Sequence, residues 1–402
     1  MAETEKNVGQ APSTLTGRFL IFMIIAILVD TAMFMINPTI GLAATEAGAS
    51  ATTVGIITSI SGITSFALMI IVGPMTMVMQ PNVMMGIFLI VRGIAYTMYS
   101  FYSIPMYIAA KILDGIAIAF LIPSMLTIAG DRMNMKSAGT ALTVYQSRNS
   151  IAKVIGPMLG ANGLVLLLGY AGNFRVAGGI LIVCGLIAFT FKLKYTEFKK
   201  EKFQLRPKNI IGPGMFLPFL IVMLFCMPQM ALGSFNMVYA KSVLGITNVG
   251  VMMSTGNLVA IFVAPFFGRL GDKIGMKLGI LVGCLIYLCG PIIFYLSGVM
   301  GWGLVGCIFG ACFQYVGFSC LAGMLQAIII KQAPPEARGV AGNVYSGALN
   351  IGSFFGPIIL GAVIDASGYG TMYLCCLIPI ILCVIMTYIY YANLQKKNAA
   401  EA

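Results

Sequence analysis

The stretch that decides the fold is written twice, as VYQSRNSIAKVIGP at residues 144–157 and as VYSGALNIGSFFGP at residues 344–357. The two copies align without a gap at an offset of 200 residues. A second register, offset by 195 residues, places Gly55 on Gly250. Because both registers occur in the same order along the chain, the sequence consists of two copies of one unit.

The composition assigns both copies to a lipid bilayer. Of 402 residues, 59% are hydrophobic and 9% are charged, whereas soluble domains average roughly 45–50% and about 25%. A hydrocarbon core about 30 Å thick requires about 20 apolar residues per helical crossing. Windows of that length between polar breaks predict twelve transmembrane helices, at residues 18–43, 52–78, 83–101, 105–129, 138–164, 173–194, 211–239, 249–267, 277–297, 301–328, 339–364 and 369–392.

The predicted helices form two domains of six helices each. The first domain is predicted at residues 18–194 and the second at residues 211–392, with a loop at 195–210 between them. This loop overlaps the longest polar stretch of the chain, KLKYTEFKKEKFQLRPK at 192–208, which we interpret as a solvated connector.

The basic residues predict the orientation of the chain. Lys and Arg are retained on the cytoplasmic side of a cell (inner) membrane, which predicts that the tails at 1–17 and 393–402 and the central loop are cytoplasmic. The loops at 45–53 and 365–370 contain no Lys or Arg and are predicted on the opposite side. The formal net charge of +12 then reflects topology and a surface that faces anionic lipid, and no nucleic-acid partner is expected.

Four sequence motifs resemble those of the major facilitator superfamily of secondary transporters. They are VDTAMFMINPTI at 29–40, KILDG at 111–115, IGPMLG at 155–160 and GRLGDKIGMK at 268–277, of which the last is the most specific. The resemblance extends over all twelve predicted helices and favours the drug and metabolite antiporter branch. It implies an all-α membrane protein in which two pseudo-symmetric six-helix bundles surround a central cavity.

The resemblance also implies a cytoplasmic gate, because an acidic loop residue of the family helps to hold the two bundles together. In the first copy that loop, GPMTMVMQPN at 73–82, has Met77 in place of the acidic residue. The predicted gate therefore belongs to the second copy and comprises Gly268, Asp272, Lys273, Gly275, Lys277, Glu336 and Arg338. The alternative is a set of ordinary surface ion pairs, worth about 0–1 kcal/mol each.

Glycine and proline recur together in the fifth and eleventh predicted helices. Pro157 cannot donate a hydrogen bond to the carbonyl of Lys153, which predicts a bend. Glycines one turn apart let a neighbouring helix approach closely. The residues concerned are Gly156, Pro157 and Gly160 in the first copy and Gly352, Gly356 and Pro357 in the second. A moving hinge and static packing both explain them.

Six ionisable residues lie inside the predicted helices of the first copy, whereas the central polar residues of the second copy are neutral. The six are Asp30, Arg92, Lys111, Asp114, Arg148 and Lys153. An ionised side chain inside a bilayer costs several kcal/mol, so it faces a cavity or a partner. We therefore predict that all six line one water-accessible cavity and bind substrate or protons. The alternative is that Lys111–Asp114, and Asp30 with Arg92 or Arg148, are ion pairs that only stabilise the fold.

Four cations against two carboxylates predict an anionic solute, because Arg can clamp a carboxylate through two hydrogen bonds. The 28 methionines would instead suit an amphipathic solute if they lined the cavity. The chain has no His, so proton transfer falls to carboxylates, and we predict Asp30 as the principal coupling residue. Burial raises the proton affinity of a carboxylate and a nearby cation lowers it.

These features predict a secondary active transporter that moves a small organic solute by alternating access, through proton-coupled antiport and efflux. Uptake of an organic anion by proton symport or anion exchange is the alternative. An enzyme is not expected, because the sequence offers no His, no clustered carboxylate pair and no Cys–His arrangement. The absence of a nucleotide-binding loop indicates that ATP does not drive transport. The expected partners are the solute, protons and the lipid bilayer, for a monomer without metal or cofactor.

Overall fold

The computed structural model describes residues 17–132, 138–191, 216–332 and 338–401. Within these ranges the protein contains helices and no strand, which confirms the predicted all-α fold class. The helices are α1 (Gly17–Glu46), α2 (Ala51–Val78), α3 (Pro81–Met98), α4 (Ile104–Arg132), α5 (Ala138–Pro157), α6 (Val165–Ala188), α7 (Phe216–Ser242), α8 (Val249–Ile274), α9 (Met276–Met300), α10 (Gly303–Gln332), α11 (Arg338–Cys375) and α12 (Leu377–Glu401). A π-helical turn at Met158–Leu164 joins α5 to α6.

Ten helical segments in the described ranges are long and apolar enough to cross a membrane. Two of them, Val144–Ala188 and Val344–Gln395, contain 45 and 52 residues, whereas one crossing needs only about 20. Each is interrupted by a glycine with a positive φ, Gly169 at 68° and Gly368 at 81°. Glycine adopts this conformation without steric cost. Each long segment therefore divides into two crossings, which gives the twelve that the sequence predicts.

Large apolar side chains cover the outside of the molecule. Leu167 is 79% exposed and Phe262 is 75% exposed, and many Leu, Ile and Phe side chains on the other helices are also exposed. Soluble proteins rarely expose contiguous apolar surface on this scale. Hydrocarbon tails are as apolar as these side chains, so the outer surface is suited to a bilayer.

The six helices of each half pack in the same arrangement. In the first half α3 packs against α4 and α6, α2 packs against α4, and α1 packs against α5 and α6. In the second half α9 packs against α10 and α12, α8 packs against α10, and α7 packs against α11 and α12. The two halves are therefore equivalent bundles. The connector at 195–210 lies outside the described residues, so the domain limits stay a prediction.

Two equivalent pairs of helices bring the bundles together, α2 with α11 and α5 with α8. In the first pair Gly55 lies against the backbone carbonyl of Pro357, and in the second Gly250 lies against the carbonyl of Pro157. A β-carbon at either glycine would collide with the backbone opposite. One sequence register relates Gly55 to Gly250 and the other relates Pro157 to Pro357. The two contacts are therefore equivalent, and the interface has the symmetry of the repeat.

Polar contacts tie the bundles together at one end of the interface. The two carboxylate oxygens of Asp365 accept backbone N–H groups at the start of α2, from Ala51 at 2.9 Å and from Thr52 at 2.8 Å. The ammonium group of Lys241 donates to Glu46 at 2.8 Å, which joins α7 to α1. We call the end of the molecule that these residues occupy the closed end.

Candidate functional site

A cavity of about 340 Å³ lies between the two bundles. Four helices of each bundle line it, α1, α2, α4 and α5 on one side and α7, α8, α10 and α11 on the other. The polar residues of its wall are Asn37, Thr58, Ser61, Ser65, Lys111 and Lys153 from the first bundle and Gln229, Ser234, Asn257, Tyr315, Ser319, Asn350 and Ser353 from the second. The wall formed by described residues thus contains two ammonium groups, many neutral hydrogen-bonding groups and no carboxylate.

Behind this wall Arg92, Lys111 and Asp114 form a buried ionic cluster. Arg92 Nε donates to Asp114 Oδ1 at 2.8 Å, and these two side chains are 5% and 1% exposed. Lys111 Nζ lies 3.6 Å from Asp114 Oδ2 and donates to Asn37 Oδ1 at 3.1 Å. The cluster connects α3, α4 and α1, and Lys111 is the member that reaches the cavity.

Asp30 pairs with Arg148 rather than with Arg92. Arg148 Nη1 donates to Asp30 Oδ2 at 2.6 Å, and the guanidinium lies 4.3 Å from the centre of the Tyr145 ring. The bond links α1 to α5 within the first bundle. A charge-assisted contact of this length between largely buried groups is among the stronger hydrogen bonds in proteins.

Lys153 has no carboxylate of its own. Within the described part of the chain it makes no hydrogen bond or ion pair, and its Nζ lies 5.9 Å from the centre of the Phe34 ring. Asp30 is near enough to interact with it electrostatically, but the carboxylate of Asp30 is bonded to Arg148. Lys153 is therefore a cation of the cavity wall whose counter-charge is missing from the described residues.

The prediction that all six ionisable residues line one cavity needs correction. Only Lys111 and Lys153 belong to its wall, whereas the pairs Arg92–Asp114 and Arg148–Asp30 lie within the first bundle. The reason is helical rotation, because residues five apart such as Arg148 and Lys153 point about 140° away from each other around a helix. The position of a residue along a helix does not determine the direction of its side chain, which depends on the rotation of the helix.

The second bundle has an uncharged network where the first has ion pairs. Gln314, which stands 200 residues after Asp114, is fully buried. Its amide donates to Gln229 Oε1 at 3.1 Å and its carbonyl accepts from Asn236 Nδ2 at 2.9 Å. Tyr373 donates to Asn236 Oδ1 at 3.1 Å. Gln229, Asn236 and Gln314 are among the neutral polar residues that the sequence places inside the second copy, whereas Tyr373 and the connection between the four were not predicted. The 200-residue register that relates Gln314 to Asp114 is the signal that indicates this position.

The glycine and proline residues form helix–helix contacts. Gly156 and Gly160 lie against the backbone of Phe34 and Met35 on α1, and Gly352 and Gly356 lie against the backbone of Met223 and Met227 on α7. Pro157 and Pro357 line the cavity. The π-helical turn directly after Pro157 has no equivalent in α11, which continues as a helix past Pro357. Packing thus explains the glycines directly, and the hinge interpretation has support in the first copy alone.

The predicted gate is only partly described. Gly275 separates α8 from α9 with a φ of 88°, Lys273 is exposed, and Lys277 Nζ lies 4.3 Å from the centre of the Tyr388 ring. Gly268 and Asp272 lie on α8 and Arg338 is the first residue of α11, whereas Glu336 lies outside the described residues. The role of these residues as a gate stays a prediction.

Comparison with known proteins identifies the family. The family model of the Major Facilitator Superfamily matches residues 22–341 and 307–402. Multidrug resistance protein 2 of Bacillus subtilis (strain 168) is 26% identical over 270 residues, which are 64% of this chain and 66% of that relative. The staphylopine export protein of Staphylococcus aureus (strain Mu50) is 22% identical over 400 residues, which are 92% of this chain and 95% of that relative.

Solved structures show the same fold. The nucleoside transporter NupG has a TM-score of 0.74 at 14% identity, covering 94% of this chain and 99% of that chain. A bacterial homolog of the human lysosomal transporter Spinster, in an inward-facing and unoccupied conformation, has a TM-score of 0.76 at 14% identity, covering 96% of this chain and 99% of that chain. With its membrane-spanning helices, two equivalent bundles and a shared cavity, the chain belongs to the major facilitator superfamily and is a multi-pass secondary transporter, not an enzyme.

Proposed function

We propose that this transporter exports a small organic solute in exchange for protons, by alternating access. The observation that carries the proposal is the cavity between the bundles, whose wall contains Lys153 and is joined to a buried ion pair through Lys111. A solute held there contacts both bundles and the charged residues of one of them. The relatives named for multidrug resistance and for staphylopine export support the outward direction.

Alternating access requires that the closed end opens. In the orientation predicted from the basic residues, the closed end lies at the outer face. Export then breaks the contacts of Asp365 with α2 and the ion pair of Lys241 with Glu46. The predicted gate around Asp272 would hold the opposite end together in that state.

We place proton coupling at Asp30. Its side chain is 9% exposed, whereas that of Asp114 is 1% exposed and is held by both Arg92 and Lys111. A proton on Asp30 removes the negative charge that binds Arg148 and so weakens the link between α1 and α5. The protonation state of one residue can thereby change how two cavity-lining helices are held.

Uptake of an organic anion by proton symport, or anion exchange, is the second candidate function, and the charge of the cavity wall favours it. The wall contains Lys111 and Lys153 and no carboxylate among the described lining residues. When Asp30 is protonated, Arg148 loses its carboxylate partner and the net positive charge of the first bundle rises, so the cavity attracts an anion more strongly. By linkage, an anion and a proton then promote each other's binding, which is the requirement for symport.

Proton movement in proteoliposomes loaded with the pH dye pyranine distinguishes the two candidates. We would impose an inward gradient of succinate as an anionic probe or of ethidium as a cationic probe. Antiport predicts that the lumen becomes alkaline, and symport predicts that it becomes acidic. Liposomes without protein provide the control. If neither probe moves protons in excess of the control, proton coupling is contradicted for both classes of solute.

A further inference from the structure

We infer that the solute is a small organic anion whose anionic group binds Lys153, in a cavity wall that also contains Lys111, rather than a lipophilic cation. The inference rests on the proposed function, because it assigns a substrate class to the cavity of that transporter. It concerns the charge and polarity of the solute and holds for either direction of transport.

The first argument is the missing counter-charge of Lys153. An ammonium group inside a membrane-spanning segment is costly unless an anion or a cavity compensates it. Lys153 lies in the cavity wall, and the described residues give it only a contact of 5.9 Å with the Phe34 ring. A cation–π contact at this distance compensates the charge less than an ion pair in a desolvated site does. The position is therefore suited to an anion brought by the solute.

The second argument is that neither carboxylate is available to a cationic solute. Asp30 is bonded to Arg148 at 2.6 Å, and Asp114 is bonded to Arg92 at 2.8 Å. A lipophilic cation in this cavity would meet the ammonium groups of Lys111 and Lys153 and no unpaired carboxylate among the described lining residues. Like charges in a site of low dielectric repel strongly, so the cavity discriminates against cations.

The third argument is the polarity of the opposite wall. The position equivalent to Lys153 in the second copy is Ser353, and the wall there also presents Asn257, Tyr315 and Asn350. These groups donate and accept hydrogen bonds without charge. The solute therefore has its anionic group toward the first bundle and hydroxyl, amide or amine groups toward the second.

Few methionines take part in this wall. Of the 28 in the chain, the described lining includes Met230 and Met253. Methionine-rich surfaces accommodate varied apolar ligands because the side chain is flexible and polarizable. Among the described lining residues, hydroxyl, amide and ammonium groups alternate with apolar side chains such as Phe34, Ile118 and Phe318. The solute therefore needs apolar carbon beside its polar groups, and only a small methionine surface is present to adapt the described wall to varied ligands.

The experiment is a thermal unfolding screen of the purified full-length protein, because a ligand that binds only the folded state raises its unfolding temperature. The anions are succinate, glutamate, citrate and gluconate. Succinamide and glucose serve as neutral analogues, and putrescine and ethidium serve as cations. We expect at least one anion to raise the unfolding temperature in a saturable manner, and we expect its neutral analogue and the cations to have no such effect.

Three variants locate the anion. Lys153→Gln should weaken binding of the stabilising anion at least tenfold, since a hydrogen bond to a charged group contributes about that much. Lys153→Arg retains the charge and should bind within a few-fold of the wild type, which also shows that a variant at this position folds. Arg175→Gln removes a positive charge from an exposed position on α6 and should leave binding unchanged.

The outcomes separate the substrate class from the transport mechanism. Stabilisation by cations alone, by no member of the anion series, or by anions equally in Lys153→Gln and wild type overturns the inference. An anion that binds at Lys153 but moves no protons in proteoliposomes leaves the inference standing and overturns proton coupling. Proton-driven transport of ethidium without anion binding retains the proposed function and overturns the substrate class.

Discussion

Replacing Asp30 with Asn removes the charge that holds Arg148 while it keeps an acceptor oxygen in nearly the same place. Arg148 Nη1 lies 2.6 Å from Asp30 Oδ2, and the two side chains are 13% and 9% exposed. Deleting one partner of a buried ion pair costs about 3–5 kcal/mol. Because the Asn carbonyl can still accept a hydrogen bond, we expect Asp30→Asn to lower the free energy of unfolding by only about 1–3 kcal/mol.

The loss of coupling should exceed the loss of stability. Asn does not titrate, so a solute gradient should move no protons into or out of pyranine-loaded proteoliposomes that contain the variant. Exchange of labelled for unlabelled anion requires no net proton transfer and should continue. The assay uses the anion that stabilises the wild-type protein most. Asp30→Glu retains a titratable carboxylate and should preserve coupling, which makes it the matched control.

The stability change also has a specific signature. In the double variant Asp30→Asn with Arg148→Gln both partners are neutral, so the unpaired cation is absent. We expect the double variant to be more stable, by about 1 kcal/mol or more, than it would be if the losses of the two single variants were additive. Proton movement in Asp30→Asn at the wild-type rate would refute the assignment of coupling to this residue, whatever the stability result.

Three further predictions concern the scaffold. Asp365→Asn can accept only one of the two N–H groups at the start of α2, so it should weaken the contacts at the closed end. Labelling of a cysteine introduced into the cavity, by an impermeant maleimide added from that side, should increase; unchanged labelling would contradict the role of Asp365 in holding the closed end together. Gly250→Ala places a β-carbon about 2.5 Å from the carbonyl of Pro157 and should slow transport at least several-fold, whereas Gly179→Ala, where the space is open, should transport normally. Gln314→Leu leaves the amide groups of Gln229 and Asn236 without their buried partner and should lower the free energy of unfolding by about 1–3 kcal/mol. A denaturant titration measures this change, and a value below about 0.5 kcal/mol would contradict a stabilising role of the uncharged network.

The number of helices and their duplication could be predicted from the sequence, because hydropathy and internal repeats are patterns along the chain. The registers that relate Gly55 to Gly250 and Pro157 to Pro357 predict the duplicated bundle, and the structure places these residues opposite each other across the interface. The loop predicted at 365–370 contains Gly368, where the positive φ interrupts the helix. Such features depend on position along the chain, which the sequence displays directly.

The direction of the charged side chains could not be predicted from the sequence. A helix that is apolar on most faces gives no periodicity from which its rotation can be inferred. The choice of Arg148 rather than Arg92 as the partner of Asp30 depends on how α1, α3 and α5 are rotated against each other. The same rotation places Lys153 in the cavity wall and turns Arg148 toward Asp30 within the first bundle.

The most direct test of the central claim counts the protons that the protein exchanges when it binds an anion. Calorimetric titration of the same anion in two buffers with different ionisation enthalpies gives this number. The account predicts that the wild-type protein exchanges about one proton per anion bound, released in antiport when Asp30 is protonated beforehand or taken up in symport when Asp30 is ionised beforehand, and that Asp30→Asn exchanges none. Binding without proton exchange in the wild type, or equal proton exchange in Asp30→Asn, would contradict the account.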